Sequence, residues 1–548
     1  EQAAWTDLVS ALQASQPEGA APVRLFYRWR QRRTKRKAGN VSDFARRWGK
    51  AYGYMVVLDA DSLMTGECLT TLVRLMEANP EAGILQTAPR ACGHETFHAR
   101  VLQFGSRAYG PLFTAGMHFW QLGESHYWGH NAILRMQPFI AHCGLPALPG
   151  NGSLSGEVLS HDFVEAALMR RAGYTVYMLH DLPGSYEESP PSLIDVAARD
   201  RRWCQGNLQH SRIIGARGLK LATRQHFATG IMSYLASPFW LFQLIVGIAL
   251  VLQTTYIRPE YFSREFTLFP QWPRFDPERA LALFGVTMAV LLAPKFFGLV
   301  LMLLHAEGRR RAGGAVRLVA STLIEILLSA LMAPILMVIQ SGSVFQILLG
   351  RDTGWQPQRR DDGSIPLRDI VRRHRWHTVL GLLTGVSAFM IATSLFLWMS
   401  PTIVGLVLAI PLSWLSGRLG AGLALKRLGL LMIPEETRTP PVVERANALL
   451  VENRRLGFDD ADGLLALYQD TRLRQSHEAM LPPAPARRRG DIDPERVIAQ
   501  AKIMDAATIH DAAHWLKPKE RMVVLHDRAL LDQLTRLKPV AEAAEAAE

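Results

Sequence analysis

Tyr54-Met55-Val56-Val57-Leu58-Asp59-Ala60-Asp61 is an uninterrupted, largely apolar run stopped by two carboxylates set two residues apart. A run of this kind, without alternation, suits a strand buried on both faces of a parallel sheet. Ligands of open α/β sheets sit at the carboxyl ends of such strands. Two carboxylates there can grip a hard divalent cation, which in turn neutralises a diphosphate. Acidic pairs at strand ends also serve as turn residues and helix caps, so the surroundings decide.

Working outward, Lys37-Ala38-Gly39-Asn40 lies upstream. It reads as a loop in which a cation and a glycine allow the backbone close approach to phosphate oxygens. The plain alternative is a solvated basic turn, because Arg30, Arg32, Arg33, Lys35 and Arg36 crowd the same stretch. Downstream, Ser160-His161-Asp162 precedes the amphipathic pattern Phe163 to Leu168, which places Asp162 near a helix N-terminus, where a capping role alone would explain it. Arg199-Asp200-Arg201-Arg202-Trp203 sets guanidinium groups beside a large aromatic surface. That pairing suits pyrophosphate binding and stacking on a sugar ring, or simply a basic-aromatic stretch at a membrane edge.

The remainder of the chain bounds these readings. With 548 residues, several domains are expected. A 49% hydrophobic content and a mean hydropathy of +0.05 are high for a soluble protein of this size, so one of them is expected to be membranous. The net charge of +12 comes from short basic clusters beside apolar runs, a pattern for a lipid bilayer surface and not for nucleic acid. Four scattered cysteines give neither a zinc site nor a disulfide framework. Residues 1–225 read as an α/β domain, 226–425 as membrane helices and 426–548 as a partly disordered tail, with a small helical or α/β module over Pro494 to Leu537. Phe227 to Gln253, without a charge, is long enough for a bilayer core of about 30 Å. Leu281 to Leu304, Thr378 to Ser400 and Thr402 to Ser416 are further expected spans. Ala315 to Gly350 is expected to lie at the interface or to re-enter, because a crossing would put the arginine-rich loop ending near residue 377 on the wrong side.

The order of these patterns, with Gly129-His130-Asn131-Ala132 between them, resembles the family-2 processive glycosyltransferases typified by cellulose synthase, in which they read KAGN, DxD, G-x-N-A, TED and QxxRW. Longer stretches, among them RKAGNVSDFARRWG, YMVVLDADS, LSHDFVEAALMRRAGY, DLPGSYEESPPSL and GWQPQRRDDG, are more narrowly similar to the glucosyltransferases of osmoregulated periplasmic glucan synthesis. The resemblance implies an α/β glycosyltransferase domain of GT-A type, followed by α-helical transmembrane segments and a cytosolic tail. It further implies inverting transfer from UDP-glucose to a β-glucan acceptor, with a β-1,2 backbone moved across the inner membrane. By position, Lys37 would meet the diphosphate, Asp59 the nucleotide, Asp61 the Mg²⁺ or Mn²⁺, and Arg202 the pyrophosphate. Asp162 would be the general base, Trp203, Asn131 and His130 would face the acceptor, and Trp355, Gln356 and Arg359 would belong to a gating loop.

Ser160, His161 and Arg199 depart from the family's threonine, glutamate and glutamine. The family's first strand and its nucleotide aspartate find no match before Lys37, so the domain is expected to be amino-terminally incomplete in this numbering. A synthase of cellulose or chitin, or a non-catalytic binding protein on the same fold, are the competing expectations. The sequence names no protein partner.

Overall fold

The computed structural model describes residues 2–15, 24–28, 30, 34–257, 277–351, 365–455, 462–481 and 492–539. Its contacts form two compact units, residues 33–443 and residues 1–32 together with 444–548. These limits differ from the expected ones at two points, the start of the transferase domain and the boundary expected after residue 425. The opening helix α1 (Gln2–Ser15) packs with the C-terminal unit through Asp7–Arg472 at 3.7 Å and Gln2–His477 at 2.8 Å, and does not belong to the transferase domain.

The larger unit begins with α2 (Arg36–Arg47) and the strand β1 (Tyr54–Val57). After β1 come β2 (Ser62–Met64), α3 (Gly66–Ala78), β3 (Ala82–Thr87), β4 (Arg90–Ala91), α4 (Phe97–Gln121), β5 (Ala132–Arg135), α5 (Met136–His142), α6 (His161–Arg171), β6 (Thr175–Leu179), β7 (Ser185–Glu187) and α7 (Leu193–Gln209). Four strands form one sheet in the order β1-β5-β3-β6, with β5 antiparallel to both neighbours and β3 parallel to β6. A smaller sheet has the order β2-β7-β4. The strand β1 is therefore an edge strand among the described residues, and its one partner is antiparallel. It is half-buried over Tyr54 to Val56, and Leu58 lies beyond it and exposed, in contrast to the doubly buried parallel strand expected.

Local chemistry explains these elements. Thr65 caps α3 by accepting from the Cys68 N–H at 3.2 Å, and Cys68, Leu72 and Met76, spaced by four, bury one stripe of that helix under β3. Each such burial stabilises by about 1.5–3 kcal/mol. Ser192 caps α7 by accepting from the Asp195 N–H at 3.3 Å, immediately after two prolines stop the preceding segment.

Among the described residues, three helices are long and apolar enough to cross a membrane: α8 (Leu221–Tyr256), α9 (Pro277–Leu304) and, after the short α10 (Ala306–Arg311), α11 (Ala315–Leu348). The last of these runs unbroken through Ser341-Gly342-Ser343, which removes the re-entrant expectation. At 34 residues it is about 50 Å long. Near its start, Leu318 packs on Phe97, Val101 and Phe104 of α4, and near its end Gln340 donates to Asp200 at 3.0 Å and Gln346 accepts from Arg201 at 2.8 Å. The helix therefore touches the same α/β domain near both of its ends.

The expected span Thr378 to Ser400 is not one helix. The chain turns at Ala392 between α12 (Leu367–Ile391) and α13 (Thr393–Val407), which lie antiparallel with Gly381 against Leu406 and Val407, and Gly385 against Ile403. Pro401, expected as a boundary, sits inside α13, and α14 (Ala409–Ser416) continues after a 51° bend. Then follow α15 (Leu419–Arg427), α16 (Pro434–Thr437) and α17 (Pro441–Arg455).

The C-terminal unit is helical, comprising α18 (Gly463–Gln469), α19 (Thr471–Met480), α20 (Pro494–Asp505), α21 (Ile509–Trp515), α22 (Pro518–His526) and α23 (Arg528–Leu534). They close around Leu464, Ile503, Ile509, Val524, Leu530 and Leu534.

Candidate active site

The site is assembled where β1 and β3 end and β5 begins. Beyond β1, the Asp59 N–H donates to Ser62 Oγ at 3.2 Å and the Ser62 N–H returns to the Asp59 carbonyl at 3.1 Å, a turn that holds Asp59 and Asp61 at the strand's mouth. Lys37 Nζ forms an ion pair with Asp59. The Lys37-Ala38-Gly39-Asn40 segment is not the flexible loop expected. It forms the first turns of α2, entered through left-handed backbone at Lys35 and Arg36, with Ala38 and Gly39 buried. The reason lies in packing: Val41, Phe44 and Ala45 join the core that includes Val57 and Phe139, and this fixes the helix.

Gly129 has φ +90°, and a side chain there would begin 3.1 Å from Asp162 Oδ2. Asn131, also left-handed at φ 51°, is fully buried. Its amide donates to Ser185 Oγ at 2.8 Å and to the Tyr186 carbonyl at 3.2 Å, while its carbonyl accepts from Thr87 Oγ1 at 2.7 Å. Asn131 is thus a tie between the two sheets, with its polar atoms spent, and does not face an acceptor. His130 lies with the carboxylates, its Nδ1 3.0 Å from Asn131 Oδ1 and its Nε2 3.6 Å from Glu187 Oε2. Gln86, buried at the end of β3, fixes this loop by accepting from the Trp128 N–H at 2.9 Å and donating to the His130 carbonyl at 3.0 Å.

Asp162 stands half-buried in the first turn of α6, where the helix N-terminus favours its charge. Behind it, Tyr127 is fully enclosed, and burial together with the charges of Glu165, Asp162 and Asp59 pushes its phenol well above the usual range. His161 lies 3.2 Å from Glu165, one turn on. Burial pulls the His161 imidazole down, but the Glu165 and Asp162 charges outweigh it, so its pKa is raised.

On α7, the Arg199 guanidinium lies over the Trp203 ring at 4.4 Å, and the indole stays half-exposed. Burial lowers the pKa of Arg199, against the pull of Asp200, Glu187 and Asp61. Burial, with Arg199 and Arg36 as like-charged neighbours, does the same for Arg202. Glu187, on β7, has its carboxyl raised by burial and by the nearby Asp61 and Asp59, with His130 and Arg199 opposing. Reading the sequence singled out neither Glu187 nor Arg36. Glu187 lay unremarked in DLPGSYEESPPSL, since nothing local distinguishes it from Glu188.

The structure therefore brings Lys37, Asp59, Asp61, His130, Asp162, Arg202 and Trp203 to one locus, with Arg199 and Glu187 added. Trp355, Gln356 and Arg359 lie outside the described residues. Among the described residues no three His, Cys, Asp or Glu side chains gather closely enough to hold a metal alone. The crowding of Asp59, Asp61 and Glu187 nevertheless offers hard oxygen donors that a cation would relieve. Mg²⁺ commonly takes one or two carboxylates and completes its shell with water and substrate phosphate. The residues present fit that partial shell.

Residues 54–304 match the model of glycosyl transferase family group 2. The chain is 48% identical over 514 residues to a glucans biosynthesis glucosyltransferase H of Rhodopseudomonas palustris (strain TIE-1), covering 94% of this chain and 71% of the relative. It is 46% identical over 515 residues to the protein of that name from Shewanella oneidensis, with 94% and 71% covered. The Vibrio cholerae El Tor protein of that name is 46% identical over 540 residues, with 98% and 74% covered. With its acidic strand end, helix-borne aspartate and arginine-tryptophan pair on one domain, the chain belongs to the glucans biosynthesis glucosyltransferase H family of group-2 glycosyltransferases.

Proposed function

We propose that this enzyme transfers glucose from UDP-glucose to a growing β-glucan, of β-1,2 backbone, and delivers the product through the inner membrane from a cytoplasmic catalytic domain. The observation that carries the reading is the convergence of Asp162 with the Lys37–Asp59 pair, Asp61 and the Arg199–Trp203 pair around one sheet end. Asp162 removes the proton of an acceptor hydroxyl as its oxygen attacks the anomeric carbon, so a single displacement converts an α-linked donor into a β-linkage. Lys37 and Arg202 hold the leaving diphosphate, and a preorganised contact of this kind contributes about 3 kcal/mol in the transition state. Arg199 covers the indole of Trp203 and steadies it as a platform for the acceptor sugar. Asp61, with Glu187 beside it, would hold Mg²⁺, which when bound neutralises charge on the diphosphate.

Because the Lys37 ammonium is joined to Asp59, donor binding has to loosen that pair or take the two together. Incorporation of radiolabelled glucose from UDP-glucose in membranes, with other sugar nucleotides as competitors and with EDTA followed by Mg²⁺ as a second arm, tests this reading. Equal competition by UDP-N-acetylglucosamine, or a product cleaved by a cellulase, would replace it with a synthase of another β-glycan.

A further inference from the structure

Apart from the transferase site, a second cavity of about 240 Å³ opens between β4, α4, α10 and the segment after α16. Its lining includes Arg90, Arg107, Arg311, Arg438, Glu435 and Tyr186. Four guanidinium groups there meet two carboxylates: Glu435 in the cavity, and Glu307, which pairs with Arg311. Glu435 is buried, and its Oε1 is shared by Arg90 at 3.5 Å and Arg107 at 3.3 Å, so that one carboxylate oxygen answers two guanidinium groups. Arg107 Nε is out of reach of water, and among the described residues its contact is the 3.3 Å ion pair with Glu435, which lacks good hydrogen-bond alignment. Burial, with Arg90 close by, lowers the pKa of Arg107 in spite of Glu435.

Four guanidinium groups against two carboxylates leave the cavity with an excess of positive charge, which attracts an anion. Planar guanidinium forks match the paired oxygens of a phosphate group. The cavity also lies at the depth where apolar surface ends, because Arg311 closes a helix that starts two residues after the membrane helix α9 stops at Leu304. We infer that this cavity is a binding site for a phosphate group, carried by an anionic lipid headgroup or by a small soluble phosphate, and distinct from the donor site. Arg438, exposed at the rim, makes the entering contact, Arg90 and Arg107 form the floor, and Glu435 holds the floor in place at some cost to affinity.

The full chain, purified in neutral detergent with its transferase site saturated by UDP, would be titrated with inorganic phosphate in one arm. In the other, it would be titrated with short-chain phosphatidylglycerol in mixed micelles. Saturable binding in either arm is expected, and the arm that saturates assigns the source. Arg438→Gln should weaken it about tenfold, the worth of one charge-assisted hydrogen bond. Glu435→Gln, which removes the competing carboxylate, should tighten it. No saturable binding in either arm, or an Arg438→Gln protein that binds as the parent does, overturns the inference. Arg438 alone decides if Glu435→Gln does not fold.

Discussion

Gly129→Ala is the substitution whose effect the geometry specifies most closely. A methyl group at this position would sit 3.1 Å from Asp162 Oδ2 and 3.3 Å from Asp162 Cβ, so the aspartate must retreat by a few tenths of an ångström. The φ of +90° adds backbone strain of about 1–2 kcal/mol for any residue with a Cβ. The strain lowers the melting temperature by only a few degrees, since it is one residue's worth in a large unit. The displacement acts on the reaction itself, because a proton acceptor moved by a fraction of an ångström leaves its near-attack position, and a misplacement near 1 Å costs about 100-fold. We therefore expect kcat for glucose incorporation to fall about 10- to 100-fold while UDP affinity, measured by calorimetry, stays within twofold. A Gly129→Ala enzyme with unchanged kcat would show that Asp162 is not positioned by this loop or does not touch the reacting hydroxyl.

Asn131→Ala removes two buried hydrogen bonds between the sheets and leaves a left-handed alanine, for a loss of about 3 kcal/mol read as a lower melting temperature, with Asn131→Gly losing less. Lys295 of α9 pairs with buried Glu325 of α11 at 2.8 Å, so Lys295→Met should destabilise by about 3–5 kcal/mol in a detergent melt, and a second change, Glu325→Leu, should restore much of it. The raised pKa of His161 means that the protonated imidazole favours the folded state. Its contribution is fully present below the ordinary value of 6.5 and is lost as pH rises through the higher folded value, so the difference in melting temperature between the parent and His161→Gln should shrink from pH 6 toward alkaline pH. A constant difference across that range would remove the His161–Glu165 pairing from consideration.

How much of this could be read beforehand depended on how local each signal was. Asp59 and Asp61 were legible because an apolar run stops at them, and Asp162 because an amphipathic pattern follows it. The edge position of β1 was not, since an apolar strand looks alike whether its partner is parallel or antiparallel. Lys37-Ala38-Gly39-Asn40 was misread as a loop because its glycine and surrounding charges hide a buried helical face that only the packing of Phe44 and Ala45 reveals. The turn at Ala392 falls inside a charge-free stretch where nothing marks a reversal, and it is fixed by Gly381 and Gly385 letting α13 approach closely. Asn131 resembled an acceptor residue because its partners, Ser185 and Tyr186, lie more than fifty positions away. The place of α1 beside α19 was hidden for the same reason.

Asp162→Asn tests most directly whether Asp162 is the base of an inverting glucosyl transfer, because the amide keeps the shape and discards the proton acceptor. In membranes supplied with radiolabelled UDP-glucose and Mg²⁺, the variant should incorporate no glucose into glucan while still binding UDP with the parent's affinity. Glucan elongation at a rate near the parent's would contradict the assignment and move the base to another residue of the site.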